Sequence, residues 1–213
     1  MTTWTSATPT CDAPPLRTVG RWALVAGATG VTANALLAGL YAGLLSGTEG
    51  LLWMGPANDV VGALSAAATV PVILGLTRHL GGPRNVVVLA RLDVVGAWLM
   101  VVASGLLVTG VIPLSVQVAV AVPYITVLFG WLWAAGRSAG RSGRLAPRLA
   151  RSAEVLGRLV VAAVPLAGLA ALLPQGSLAQ YCLGGLALAL GLGGFLGFPF
   201  WLVAVGRHPP FAA

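Results

Sequence analysis

Two of the chain's five acidic residues sit inside strongly apolar segments, each followed by the same Val-Val-Gly-Ala. Asp59 lies in "GPANDVVGAL" and Asp93 in "RLDVVGAWL". A carboxyl placed in lipid is costly, and such groups mark substrate or ion paths and proton relays. A carboxylic acid kept protonated by low-dielectric surroundings could protonate an alkene or an epoxide. Aromatic faces could then stabilise the resulting carbocation by cation–π attraction. Trp98, Tyr124, Phe195 and Phe198 fall deep in apolar segments, where they fill a core or wall a pocket. Asn34 lies in mid-segment on a face with Gly27, Gly30, Ala38 and Tyr41. It could join that wall, and a central asparagine also reads as an interhelical hydrogen bond. This chemistry requires no metal and no cofactor.

Each carboxyl also has a plain structural account. Asp59 follows Pro56 and Asn58 in the first turn of its helix, where a carboxylate interacts well with the helix dipole. Against this, it shares a face with Gly62, Ala63 and Ala66, a small-residue stripe of the kind that meets other helices. Asp93 lies about two turns beyond a helix start near Asn85, on a face continuing through Gly96, Ala97, Met100 and Ser104. It either pairs with an arginine (Arg21, Arg158 or Arg91) or acts directly, and it is the stronger candidate for chemistry. Consecutive spans run in opposite directions, so the two carboxyls stand roughly 20 Å or more apart in depth and form no acid pair. The shared phrase ends after five residues and marks no repeat. Gln117 and Gln180 lie toward the same side as Asp59 and could line a polar pocket with it. Glu154 has Arg151 and Arg158 three and four residues away, an ion-pair ladder.

Several chemistries lack their residues. Every basic residue is arginine, so no lysine amine exists for a Schiff base. Cys11 and Cys182 match no metal spacing and imply no disulfide framework. His79 and His208 fall in a loop and the tail, away from where haem would sit. Neither a phosphate-binding Gly-x-x-x-x-Gly-Lys nor a His-Glu-x-x-His zinc motif is present. Nor is there an aspartate-rich cluster to hold magnesium on a diphosphate.

The elements that must position these residues are membrane helices. Of 213 residues, 58% are hydrophobic and 8% charged, against about 25% charged in a soluble domain. Mean hydropathy is +0.93. Six apolar runs reach the roughly 20 residues that cross a bilayer core: Trp22–Ser46, Pro56–Leu76, Val86–Gly110, Pro113–Ala135, Val155–Leu173 and Gln180–Gly206. The expected fold is all-α, a bundle of six transmembrane helices spanning residues 21–207. Residues 1–20 read as a disordered cytoplasmic tail and 208–213 as a short second one. The net charge of +7 does not indicate nucleic acid, because the arginines lie between spans. With both termini cytoplasmic, every arginine falls at the inner face, as the positive-inside rule requires of a multi-pass cell-membrane protein.

Four spans hold an internal proline (Pro71, Pro123, Pro165, Pro199), which tends to kink a helix and can leave a cavity. Gly193 and Gly197 allow close helix approach. Trp22, Trp53, Trp131 and Trp133 lie near span ends, where aromatic belts form. The segment "GRSAGRSGRLAPRLARSAEVLGR" orients the chain and would also attract anionic lipid or a diphosphate.

The stretch "WMGPANDVVGALSAAATVPVIL", in a six-span chain of this length, resembles small actinobacterial multi-pass membrane proteins. Some of these are similar to membrane-bound terpene cyclases of sesquiterpenoid pathways. The resemblance implies proton-initiated cyclisation of a farnesyl chain, with Asp59 or Asp93 as the acid, and a hydrophobic substrate delivered through membrane lipid. The competing expectation is a non-enzymatic protein, either a small transporter or a subunit packed against a membrane partner.

Overall fold

The computed structural model describes residues 15–212. The described residues form six α-helices, α1 (Leu16–Ser46), α2 (Met54–Leu80), α3 (Arg84–Val108), α4 (Leu114–Ser142), α5 (Pro147–Leu172) and α6 (Leu178–Gly206), with a single 3-10 turn at Glu49–Leu51. All six are long and apolar enough to cross a membrane. Each packs on its neighbour in sequence, and α6 returns to α1, so the bundle is a closed ring with a weaker α2–α4 contact across it. The connections are short, neighbours run antiparallel, and all twelve arginines therefore gather toward one end of the ring. The opposite end carries Glu49 and the α3–α4 and α5–α6 turns.

The apolar runs understate the helices at the arginine end. Helix α4 continues to Ser142 and α5 begins at Pro147, well outside the runs that stop at Ala135 and start at Val155. Hydropathy falls at the first arginines, but arginine and alanine are good helix formers, so the backbone continues. Backbone chemistry sets the true ends. Gly143 takes a left-handed φ of 66° after α4, and Pro147 occupies the first turn of α5, where its missing N–H costs nothing. Helix α1 likewise begins at Leu16, so residues 16–20 of the expected tail are helical; residues 1–14 lie outside the described part. The four prolines stay inside continuous helices.

Helix contacts depend on small residues, because lipid gives apolar side chains no reason to prefer protein. A Cβ on Gly157 would stand 2.5 Å from the Trp133 backbone nitrogen, and one on Gly136 would stand 2.6 Å from that of Glu154. Helices α4 and α5 therefore touch backbone to backbone. Helix α6 meets α5 through Gly194 and Gly197, the latter one of the two glycines expected to do so. Outward faces are apolar, with Leu45, Leu172 and Leu178 largely bare, as lipid contact requires. At the arginine end the tail folds back. Phe211 is fully buried, its ring edge-on to His79, and its backbone carbonyl fills the space beside Gly20. Arg144 donates to the Leu80 carbonyl at 2.7 Å, capping the C-terminus of α2.

Candidate functional site

Inside the ring, from mid-depth toward the end away from the arginines, lies a cavity of about 160 Å³. Helices α1, α2, α3, α4 and α6 wall it. Asn34, Asp59, Tyr124, Phe195 and Phe198 all border it. Five of the seven residues singled out from sequence thus meet at one place. The other two do not. Trp98 is 53% exposed on the outer surface of α3, and Asp93 is fully buried but does not border the cavity.

Asp59 enters through the small-residue stripe of α2. Gly62, Ala66 and Thr69 continue its face at helical spacing, and all three border the cavity. Its carboxylate does not cap the helix. Oδ1 accepts from Gln117 Nε2 of α4 at 3.1 Å, and the same amide lies 3.3 Å from Ser104 Oγ of α3. This bridge, buried at Ser104 and partly exposed at Asp59, ties three helices together. Gln180 takes no part in it, since its side chain accepts from the Gly176 backbone at 2.8 Å.

The aromatic wall is held rigidly. The Phe198 ring stacks on Trp201 at 6.1 Å and meets Phe129 edge-on at 5.5 Å. Tyr124 is buried beside Gly96, where a Cβ would come 3.0 Å from its ring. Pro199 packs on Gly30, closing α6 onto α1 below the cavity. Above that closure, Phe195 is 36% exposed, so one wall of the cavity is also the lipid-facing surface. Asn34 borders the cavity and makes no interhelical hydrogen bond among the described residues. Ser65, whose hydroxyl donates to the Ala26 carbonyl at 3.0 Å, also borders it, as does Met100. Ser65 and Thr69 were missed in sequence because small hydroxyls are common in such helices. Extending the Asp59 stripe one turn past Ala66 would have found Thr69.

Asp93 corrects the expectation of an arginine partner. Both carboxylate oxygens are buried and have no hydrogen-bond partner. The one ion pair among the described residues joins Arg158 to Glu154, as the spacing indicated, which occupies one of the candidates. Asp93 lies nine residues into α3, or about 14 Å at 1.5 Å per residue, close to the two turns expected from a start near Asn85. Asp59 lies five residues into α2, so the two differ in depth by roughly 15 Å. Trp131 is another correction. Instead of joining an aromatic belt it is 1% exposed, and its Nε1 donates to Thr77 Oγ1 at 3.0 Å.

Comparisons with known protein families, curated proteins and solved structures find no match for this chain. Fold and composition together define an integral, multi-pass membrane protein of six helices.

Proposed function

We propose that the cavity receives the reactive end of an apolar isoprenoid from the membrane and that Asp59 is the Brønsted acid that starts its cyclisation. The observation that carries this reading is the convergence of one carboxyl with Tyr124, Phe195 and Phe198 around an otherwise apolar cavity. The Asp59 proton passes either to an alkene carbon, whose π bond is consumed to leave a carbocation, or to an epoxide oxygen, whose C–O bond then breaks to leave a hydroxyl and a carbocation. The aromatic faces stabilise that charge. A second alkene supplies its π pair to close the ring, and loss of a C–H proton to the Asp59 carboxylate forms the product alkene and restores the acid. Gln117 is a positioning residue, holding Oδ1 in place. At about 160 Å³ the cavity compares with one of ~150 Å³ that accepts benzene, so the rest of a farnesyl chain extends past Phe195 into lipid. The location is the cell membrane, with the arginine end cytoplasmic.

The test is turnover of farnesylated substrates by the full-length protein in native membranes. Asp59→Asn, which keeps an acceptor for Gln117, is expected to lower turnover by about a hundredfold or more, the range for a general acid. Asp93→Asn is expected to retain most of it. Full activity in Asp59→Asn would overturn the acid assignment, and no turnover across a broad isoprenoid panel would overturn the enzyme reading.

A second reading rests on Asp93. An unpartnered carboxyl about two turns along α3 from Met100, on the same helix face that Met100 presents to the cavity, suits a small proton-coupled transporter. It is supported if proteoliposomes show substrate-dependent proton flux that Asp93→Asn abolishes, and rejected if that flux is absent.

A further inference from the structure

A second recess lies at the opposite end of the bundle from the Asp59 cavity, on the outside of the ring. It is a groove of about 690 Å³ between α3, α4 and α5. Its wall at the arginine end carries side chains that can all donate, Asn85 at the start of α3 and Trp133, Arg137, Ser138 and Arg141 along α4, with a net positive charge from the two arginines. No acidic residue borders it. Arg137 and Arg141 are four residues apart, so their guanidinium groups project from one helix face. Neither is ion-paired among the described residues, where Glu154 is already engaged by Arg158. Deeper in the membrane the walls become apolar at Leu89, Gly130 and Val161. Gly130 leaves open space here, because a Cβ at that position would meet nothing nearer than Leu89 at 4.0 Å.

Charge at one end and an apolar trough at the other match a lipid lying along the protein with its headgroup at the arginines. We propose that this groove is a binding site for one anionic glycerophospholipid of the leaflet facing the arginine end. Two guanidinium groups suit a phosphate, which they can grip through paired N–H donors. The free backbone N–H groups in the first turn of α3, whose preceding Pro83 offers no side-chain cap, add positive potential at the same point. A choline or ethanolamine headgroup gains nothing there. It would bring a positive charge beside two arginines, and the Trp133 face that could cradle it is already covered by Arg158, 5.8 Å from the ring centroid. Orienting the chain needs only the number of arginines at this end. The groove explains why two of them flank a trough.

The test is native mass spectrometry of the full-length protein released from nanodiscs containing equal amounts of phosphatidylglycerol and phosphatidylcholine. One retained phosphatidylglycerol is expected, favoured about tenfold or more over phosphatidylcholine. Arg137→Gln with Arg141→Gln is expected to lower that preference at least fivefold. Arg148→Gln with Arg151→Gln, which removes the same charge from α5 outside the groove, should preserve it. Equal retention of both lipids overturns the proposal, as does an equal loss of preference in the two double variants. Inorganic phosphate at millimolar concentration should not displace the lipid. If it does, the site reads free phosphate and the lipid assignment fails. Gel filtration of each variant as a single sharp species keeps a folding defect from passing as a binding defect.

Discussion

Asp93 has no exposed surface, and neither carboxylate oxygen meets a donor, whereas Asp59 is tied to Gln117 across the bundle. A buried polar group without a partner costs free energy, and removing it altogether is close to neutral. Asp93→Ala is therefore expected to leave the thermal unfolding midpoint in detergent unchanged or raised. A clear fall would show that Asp93 engages a partner. Asp59→Ala and Gln117→Ala should each destabilise by about 0.6–1.7 kcal/mol, the range for interhelical hydrogen bonds in membranes. Because both remove the same bond, the double variant should cost little more than either alone, as a double-mutant cycle by thermal or chemical unfolding would show. Additive losses would mean that the 3.1 Å contact carries no energy. Both carboxyls stood out in the sequence for the same reason, the cost of charge in lipid. Their different surroundings depend on Gln117, 58 positions from Asp59 in the chain, which meets that carboxyl and not Asp93, and no local pattern reports this.

At the scale of elements, the close α4–α5 seam is what keeps α4 in place to present Gln117 and Tyr124. Gly157 faces backbone atoms, not flexible side-chain ends, so the neighbouring helix must move if a side chain is added. Gly157→Val is expected to destabilise the bundle by about 1–3 kcal/mol, the range for overpacking. Gly168→Val on the same helix, where a Cβ meets nothing within 4 Å, should be nearly silent. Comparing the two by yield of monodisperse protein after a heat step checks this, and equal losses would mean that helix propensity alone is at work. The six helices were legible from hydropathy, but their ends at α4 and α5 were not. Apolar runs record the lipid boundary, while capping and turn geometry record the helix boundary.

For the whole molecule, the arginine end is expected to face the cytoplasm. In a Cys11→Ala, Cys182→Ala background, a cysteine at Glu49 should react with an impermeant maleimide in intact cells. One at Ser142 should react only after permeabilisation. Both sites are exposed at opposite ends of the bundle, so the reverse pattern would invert the topology.

The sequence alone determined the class of protein. Hydrophobic span length and arginine placement are one-dimensional quantities, and a bilayer constrains them strongly enough to specify six helices and their alternation. It also singled out Asp59, Asp93 and Asn34 as polar groups in apolar spans, and Trp98, Tyr124, Phe195 and Phe198 as deep aromatics that fill a core or wall a pocket. Only the tertiary structure decided that Asn34, Asp59, Tyr124, Phe195 and Phe198 share one cavity, while Trp98 faces lipid and Asp93 does not border it. Asp93 is set apart by depth, about two turns along α3 from Met100 on the same face, and the rest was decided by helix rotation and the closure of α6 onto α1. Both depend on where small residues let backbones approach, which is a property of pairs of helices. The stretch around Asp93 was the more suggestive in sequence, and the ring turned Asp59 toward the space where a substrate fits.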